Sequence, residues 1–111
     1  IHGTVKGQVP DNLKEYTLVI YVAGDQRDQS EEKVQGIQKG HLEHLDNLAE
    51  SGLLSIAGPF SAGGEWRGLL IFNTNDTLVV QKALDQDPAV IAGRLKYNMY
   101  GFYSAPGRCL E

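Results

Sequence analysis

The chain has 111 residues and a mass of 12.2 kDa, room for one domain and no more. With 41% hydrophobic and 22% charged residues it can bury a core without disulfide or metal staples. The net charge is −4 and the ten Lys and Arg are scattered, which argues against nucleic-acid binding; the longest apolar run, Leu18 to Ala23, is too short to span a bilayer.

Ile1–Asn12 is polar and loosely patterned, with Gly3, Gly7 and Pro10. It reads as an arm, or as the linker after a removed signal sequence, and leaves the compartment open between bacterial cytoplasm and export. The expected division is a loose arm over 1–15, one domain over 16–104 and a tail over 105–111. The single cysteine, Cys109, falls in that tail, so no intrachain disulfide is possible.

Tyr16–Ala23 is rich in β-branched and aromatic residues and apolar in both alternating sets, the pattern of a strand buried on two faces. A charged loop leads to Ser30, an N-cap followed by Glu31 and Glu32. The helix it opens runs to about Ser51 and stops at Gly52. Its apolar stripe is Val34, Ile37, Leu45 and Leu48, and Gly36 and Gly40 weaken its first turns. Leu53–Gly58 reads as a second strand closed by Pro59, and Gly63-Gly64 as a turn. Trp66–Phe72 is a third strand, apolar on both faces. Asp76 caps a second helix over Thr77–Asp85 that buries Val80, Ala83 and Leu84. Asp87-Pro88 starts a further helical turn that ends at Gly93. Leu95–Tyr103 is a last, tyrosine-rich strand.

The order β-α-β-β-α-β predicts an α+β, ferredoxin-like domain: a four-stranded antiparallel sheet with its helices on one face. The other face would then leave an apolar surface of several hundred Å², roughly the size that marks an interaction site. Its simplest cover is the same face of a second copy, so a homodimer is expected.

His41 sits near the middle of the first helix's apolar stripe. A titratable ring there is either a hydrogen-bonded core anchor or a general base in a pocket at the helix–sheet edge. His44 lies on the flank of the same face. The three-residue spacing of the two is weak as a metal signal and no third ligand follows, so no metal is expected. Glu50 points away from His41 on a regular helix. Asp87, from a distant segment, is an N-cap that could also serve His41 if one oxygen stays free. Gly58, Pro59 and Phe60 turn the chain at a candidate pocket rim. Trp66, Tyr97, Tyr100, Phe102 and Tyr103 are candidate cavity walls, with core or interface packing as their alternative. Arg67 and Arg94 are the cations placed to hold a carboxylate.

Taken in order, Gly40-His41-Leu42-x-x-Leu45, Gly52-x-Leu54, Ala57-Gly58-Pro59-Phe60, Arg67-Gly68 and Asp87-Pro88-Ala89-Val90-x-Ala92-Gly93 resemble the YCII-related proteins. These are small bacterial domains of the dimeric α/β-barrel kind, and the resemblance runs from about Tyr16 to Tyr103. It implies a ferredoxin-like protomer, a homodimer and a pocket containing the histidine that matches His41. It also implies an active-site pair of that histidine with an acidic residue, and lyase-like chemistry such as dehydrochlorination of substituted hydroquinones; structural cousins include muconolactone isomerases. Glu50 stands nine residues after His41, whereas Asp87 matches the family's Asp-Pro, and the helical wheel favours Asp87. Two departures concern pocket shape: Gly101-Phe102 stands where similar sequences carry Pro-Trp, and Asn98 replaces a carboxylate.

The resulting expectation is a cofactor-free lyase or isomerase using His41 and Asp87 on a small polar or aromatic compound, with Gly58, Pro59, Phe60, Trp66 and Arg67 around the substrate. A non-catalytic ligand-binding or sensor homodimer is the alternative, and a purely structural module the third reading. None involves nucleic acid or membrane.

Overall fold

The computed structural model describes residues 11–111. Its elements are β1 (Lys14–Ala23), α1 (Glu31–Glu50), β2 (Leu54–Pro59), β3 (Trp66–Phe72), α2 (Thr77–Asp85), α3 (Pro88–Ile91) and β4 (Leu95–Ser104). The strands form one antiparallel sheet in the order β2-β3-β1-β4, the ferredoxin-like arrangement. β1 starts earlier than its apolar pattern because Lys14 and Glu15 pair with Ser104 and Tyr103. Two residues assigned to the arm therefore belong to the sheet, and the arm's first ten lie outside the described residues.

Pleating divides the central strands as the alternation requires. Val19 and Tyr21 of β1, with Leu70 and Phe72 of β3, point at Val80, Ala83 and Leu84 of α2 and form the buried core with Leu54. Leu18, Ile20 and Val22 take the opposite face, where their partners are Tyr100, Asn98 and Lys96 of β4 and Ile71, Leu69 and Trp66 of β3. Trp66, Tyr100 and Phe102 stand exposed there. Among the described residues no helix packs on this face.

One irregularity breaks the pairing of β1 with β3. Tyr21 opposes Gly68, but Val22 opposes Trp66, so Arg67 is an extra residue. Such a β-bulge re-aims a side chain that the pleat would otherwise send elsewhere.

α1 forms because Ser30 caps it, its side chain accepting from the Lys33 N–H at 3.2 Å, with Glu31 and Glu32 on the positive end of the helix dipole. It buries none of its residues fully; Leu45 and Leu48 only lean on the core. It rests on α3 and β2 and stands off the centre of the sheet. Gly40 allows the contact with α3, since a Cβ there would lie 2.9 Å from Pro88 Cγ.

Candidate active site

The space between α1 and the sheet is a cavity of about 390 Å³. Its walls are α1 (Ile37, His41, Leu42, Leu45), the β2 exit (Ala57, Gly58, Pro59) and the sheet centre (Tyr21, Arg67, Gly68, Leu70), with Arg27 and Arg94 from two loops.

At its back lies Asp87, fully buried at 0% exposure. The chain turns there from α2 into α3, and the two carboxylate oxygens divide their duties. Oδ1 accepts from the Ala89 N–H at 2.9 Å and caps α3. Oδ2 accepts from the Tyr21 hydroxyl at 2.7 Å and lies 2.6 Å from His41 Nδ1. The three residues come from β1, α1 and the α2–α3 turn. His41 also meets the Tyr21 ring edge-on, with centroids 5.7 Å apart.

Protonation follows from these partners. Burial pushes the Asp87 carboxyl up, but the hydrogen bonds from His41, Tyr21 and Ala89 outweigh it and hold its pKa below the ordinary value. Asp87 is thus an anion and can only accept. Nδ1 of His41 must carry the hydrogen it shares with Oδ2. In the neutral ring this leaves the lone pair on Nε2, which makes no hydrogen bond among the described residues. The Tyr21 phenol is pushed far up, first by burial and then by its bond to Asp87, so it stays a donor. An imidazole oriented by a buried anion, with its other nitrogen free beside a cavity, can accept a proton and return it.

Of the residues singled out in the sequence, His41, Gly58, Pro59, Arg67 and Arg94 line the cavity, and Asp87 stands behind His41. Phe60 and Trp66 do not line it. Their rings pack together, centroids 5.6 Å apart, because Trp66 pairs with Val22 on the face away from the helices. Tyr97, Tyr100, Phe102 and Tyr103 are absent from the walls too. Glu50, the other acidic candidate, is exposed at the end of α1. His44 is not a free surface residue: its Nε2 lies 2.7 Å from the Ala83 carbonyl and ties α1 to α2.

The sequence reading missed Tyr21 and Arg27. A phenol inside an apolar strand needs a partner when buried, which is the signal that could have marked Tyr21. Arg27 sits in a charged loop, where nothing distinguishes it from its neighbours.

A family model described as YCII-related domain matches residues 15–100. It spans most of the chain, and the chain belongs to that family. Among solved structures, the chain is similar to 5-chloro-2-hydroxyhydroquinone dehydrochlorinase from Burkholderia phenoliruptrix AC1100, in complex with 2,5-dihydroxybenzoquinone. Identity is 19% and the TM-score 0.52, over 79% of this chain and 90% of that one. At that identity the likeness shows the fold. No curated protein matches the chain.

Proposed function

We propose that this YCII-related protein is a small lyase or isomerase in which His41 transfers a proton on a compact polar or aromatic substrate, with Asp87 orienting the ring and needing no cofactor for the step. The observation that carries this reading is the buried Asp87 Oδ2, which takes both Tyr21 and His41 Nδ1 and so leaves Nε2 as the basic nitrogen of a ring that lines the cavity. In the forward step Nε2 takes a proton from the substrate. The pair of electrons left behind expels an anionic leaving group (a lyase) or moves along a conjugated system that is reprotonated elsewhere (an isomerase). Asp87 stabilises the imidazolium formed between the two half-steps, and Tyr21 keeps Asp87 in place. Kinship with a dehydrochlorinase fold is consistent with the elimination, though the residues of this chain carry the argument.

The active form in this reading is a homodimer, the apolar face bearing the exposed Trp66, Tyr100 and Phe102 being covered by the same face of a second copy.

Two probes test the chemistry: chloride release from 5-chloro-2-hydroxyhydroquinone, and solvent deuterium exchange into 2,5-dihydroxybenzoquinone. The wild-type protein is expected to accelerate at least one, and His41→Ala to abolish that acceleration while keeping its circular dichroism. Acceleration that survives in His41→Ala would overturn the role given to the ring. Binding of either probe with neither reaction would favour the ligand-binding reading.

A further inference from the structure

The cavity carries three guanidinium groups, from Arg27, Arg67 and Arg94, in a protein whose net charge is −4. None of the three makes a salt bridge among the described residues, where the ion pairs are His41–Asp87 and Lys96–Asp25. Residues 1–10 contain no Asp or Glu, so no side chain there can neutralise them. The partners they do have are neutral. Arg27 donates to the Arg94 carbonyl, and Arg94 Nη1 donates to Gln29 Oε1 at 2.9 Å. Gln29 is itself tied to the Gln26 and Ala92 carbonyls, so this loop network orients the cations without cancelling their charge. Arg67, turned by the bulge in β3, has a buried Nε with no acceptor among the described residues. Like charges gathered this way repel: the Arg27 pKa is lowered, first by desolvation and then by Arg94 and Arg67.

Three guanidinium groups on one cavity, with no salt bridge to Asp46 of the same walls or to any other described carboxylate, call for an anion from outside. We infer that the cavity is completed by an anionic ligand, and that the substrate is a small organic acid whose carboxylate is held by Arg67 and Arg94, with Arg27 at the exposed mouth. This deepens the reading above, on which it rests for the identity of the reacting site.

The lining divides by chemistry. Ile37, Leu42, Leu45 and Leu70 offer an apolar wall for the ligand's body, and His41 and the three arginines line the same cavity. A planar guanidinium fork matches a carboxylate edge to edge. The chemistry favours a carboxylate over a phosphate ester for two reasons. Asp46 also lines the cavity and opposes a second negative charge. The walls include no glycine-rich loop at a helix N-terminus, the usual cradle for phosphate. Proton removal adds electron density beside the carboxylate, and arginines that neutralise the carboxylate would offset that build-up of charge and so help the step.

Binding can be read without turnover, by calorimetric titration at low chloride with benzoate, benzamide and phenyl phosphate. Benzoate is expected to bind at least about tenfold more tightly than benzamide, the equivalent of one charge-assisted contact. Arg67→Met and Arg94→Gln should each erase that preference. The second variant keeps the backbone carbonyl that Gly24 and Arg27 use, so it guards against a misfolded first. Equal binding of benzoate and benzamide, no binding of benzoate, a preference for phenyl phosphate, or a benzoate preference that survives both arginine variants would each overturn the inference. The test is separable from the proton-transfer reading: in His41→Ala the preference for benzoate over benzamide should persist even where reactivity is lost.

Discussion

Asp87 holds two structures together with two oxygens, and its substitution separates them. In Asp87→Asn the amide oxygen can still cap α3, but the amide nitrogen would then face His41 Nδ1 and Tyr21 as a donor. The ring answers by placing its hydrogen on Nε2 and loses its basic nitrogen on the cavity side. The reaction proposed here should fall about 10²–10⁴-fold, with binding little changed, as a ratio of kcat values would show. Tyr21→Phe addresses the same oxygen through pH. The Asp87 pKa lies below its unfolded value, so its contribution to stability is present above about pH 4 and is lost as pH falls through the folded value. Removing the phenol takes away one of the bonds that lower it. Acid unfolding of Tyr21→Phe should therefore begin at a higher pH than in wild type, and stability at neutral pH should drop by about 1.5–3 kcal/mol, the worth of a hydrogen bond to a charged group. Denaturant melts across pH 2–7 would test both. The sequence displayed His41 and Asp87 as a pair that could meet only if one Asp oxygen stayed free, and it does. Tyr21 was hidden because its partner is 66 residues away and its strand read as plain core.

At the scale of elements, periodicity was a good guide. β3 and α2 have the boundaries that alternation, Asp76 and the apolar spacing indicate, since each packs against the core with a single face or pleat. The bulge at Arg67 could not be read, because an extra residue in one strand is defined only by the strand opposite. Gly40, a residue of low helix propensity in α1, is also the place where α1 meets Pro88, a role that only the packing shows. Gly36, on the same helix, has nothing within 4 Å of a built Cβ. The two glycines should consequently respond in opposite ways to alanine. Gly36→Ala should stabilise by roughly 0.5–1 kcal/mol through helix propensity alone and leave activity as it was. Gly40→Ala should push α1 from α3, stretch the His41–Asp87 contact and reduce activity more than its melting temperature suggests. Paired thermal melts and rate measurements would separate them.

For the whole molecule, the feature most legible in the sequence was the surplus of apolar side chains on the central strands, which two helices on one face cannot cover. The proposed homodimer follows from that surplus. Sedimentation at micromolar concentration should give about twice 12.2 kDa for wild type and a single-chain mass for Tyr100→Asp, since a carboxylate buried opposite its own copy is left without a partner. The layering has another consequence, which concerns time. The sheet and α2 share a sealed core, but α1 closes the cavity with no fully buried residue, and among the described residues the side-chain hydrogen bonds that tie it to other elements are His44–Ala83 and His41–Asp87. Its amides should exchange with deuterated solvent well before those of β1 and β3, as a separate cooperative unit, and a ligand that fills the cavity should slow them selectively. The wall that carries His41 is then also the least firmly held part of the fold.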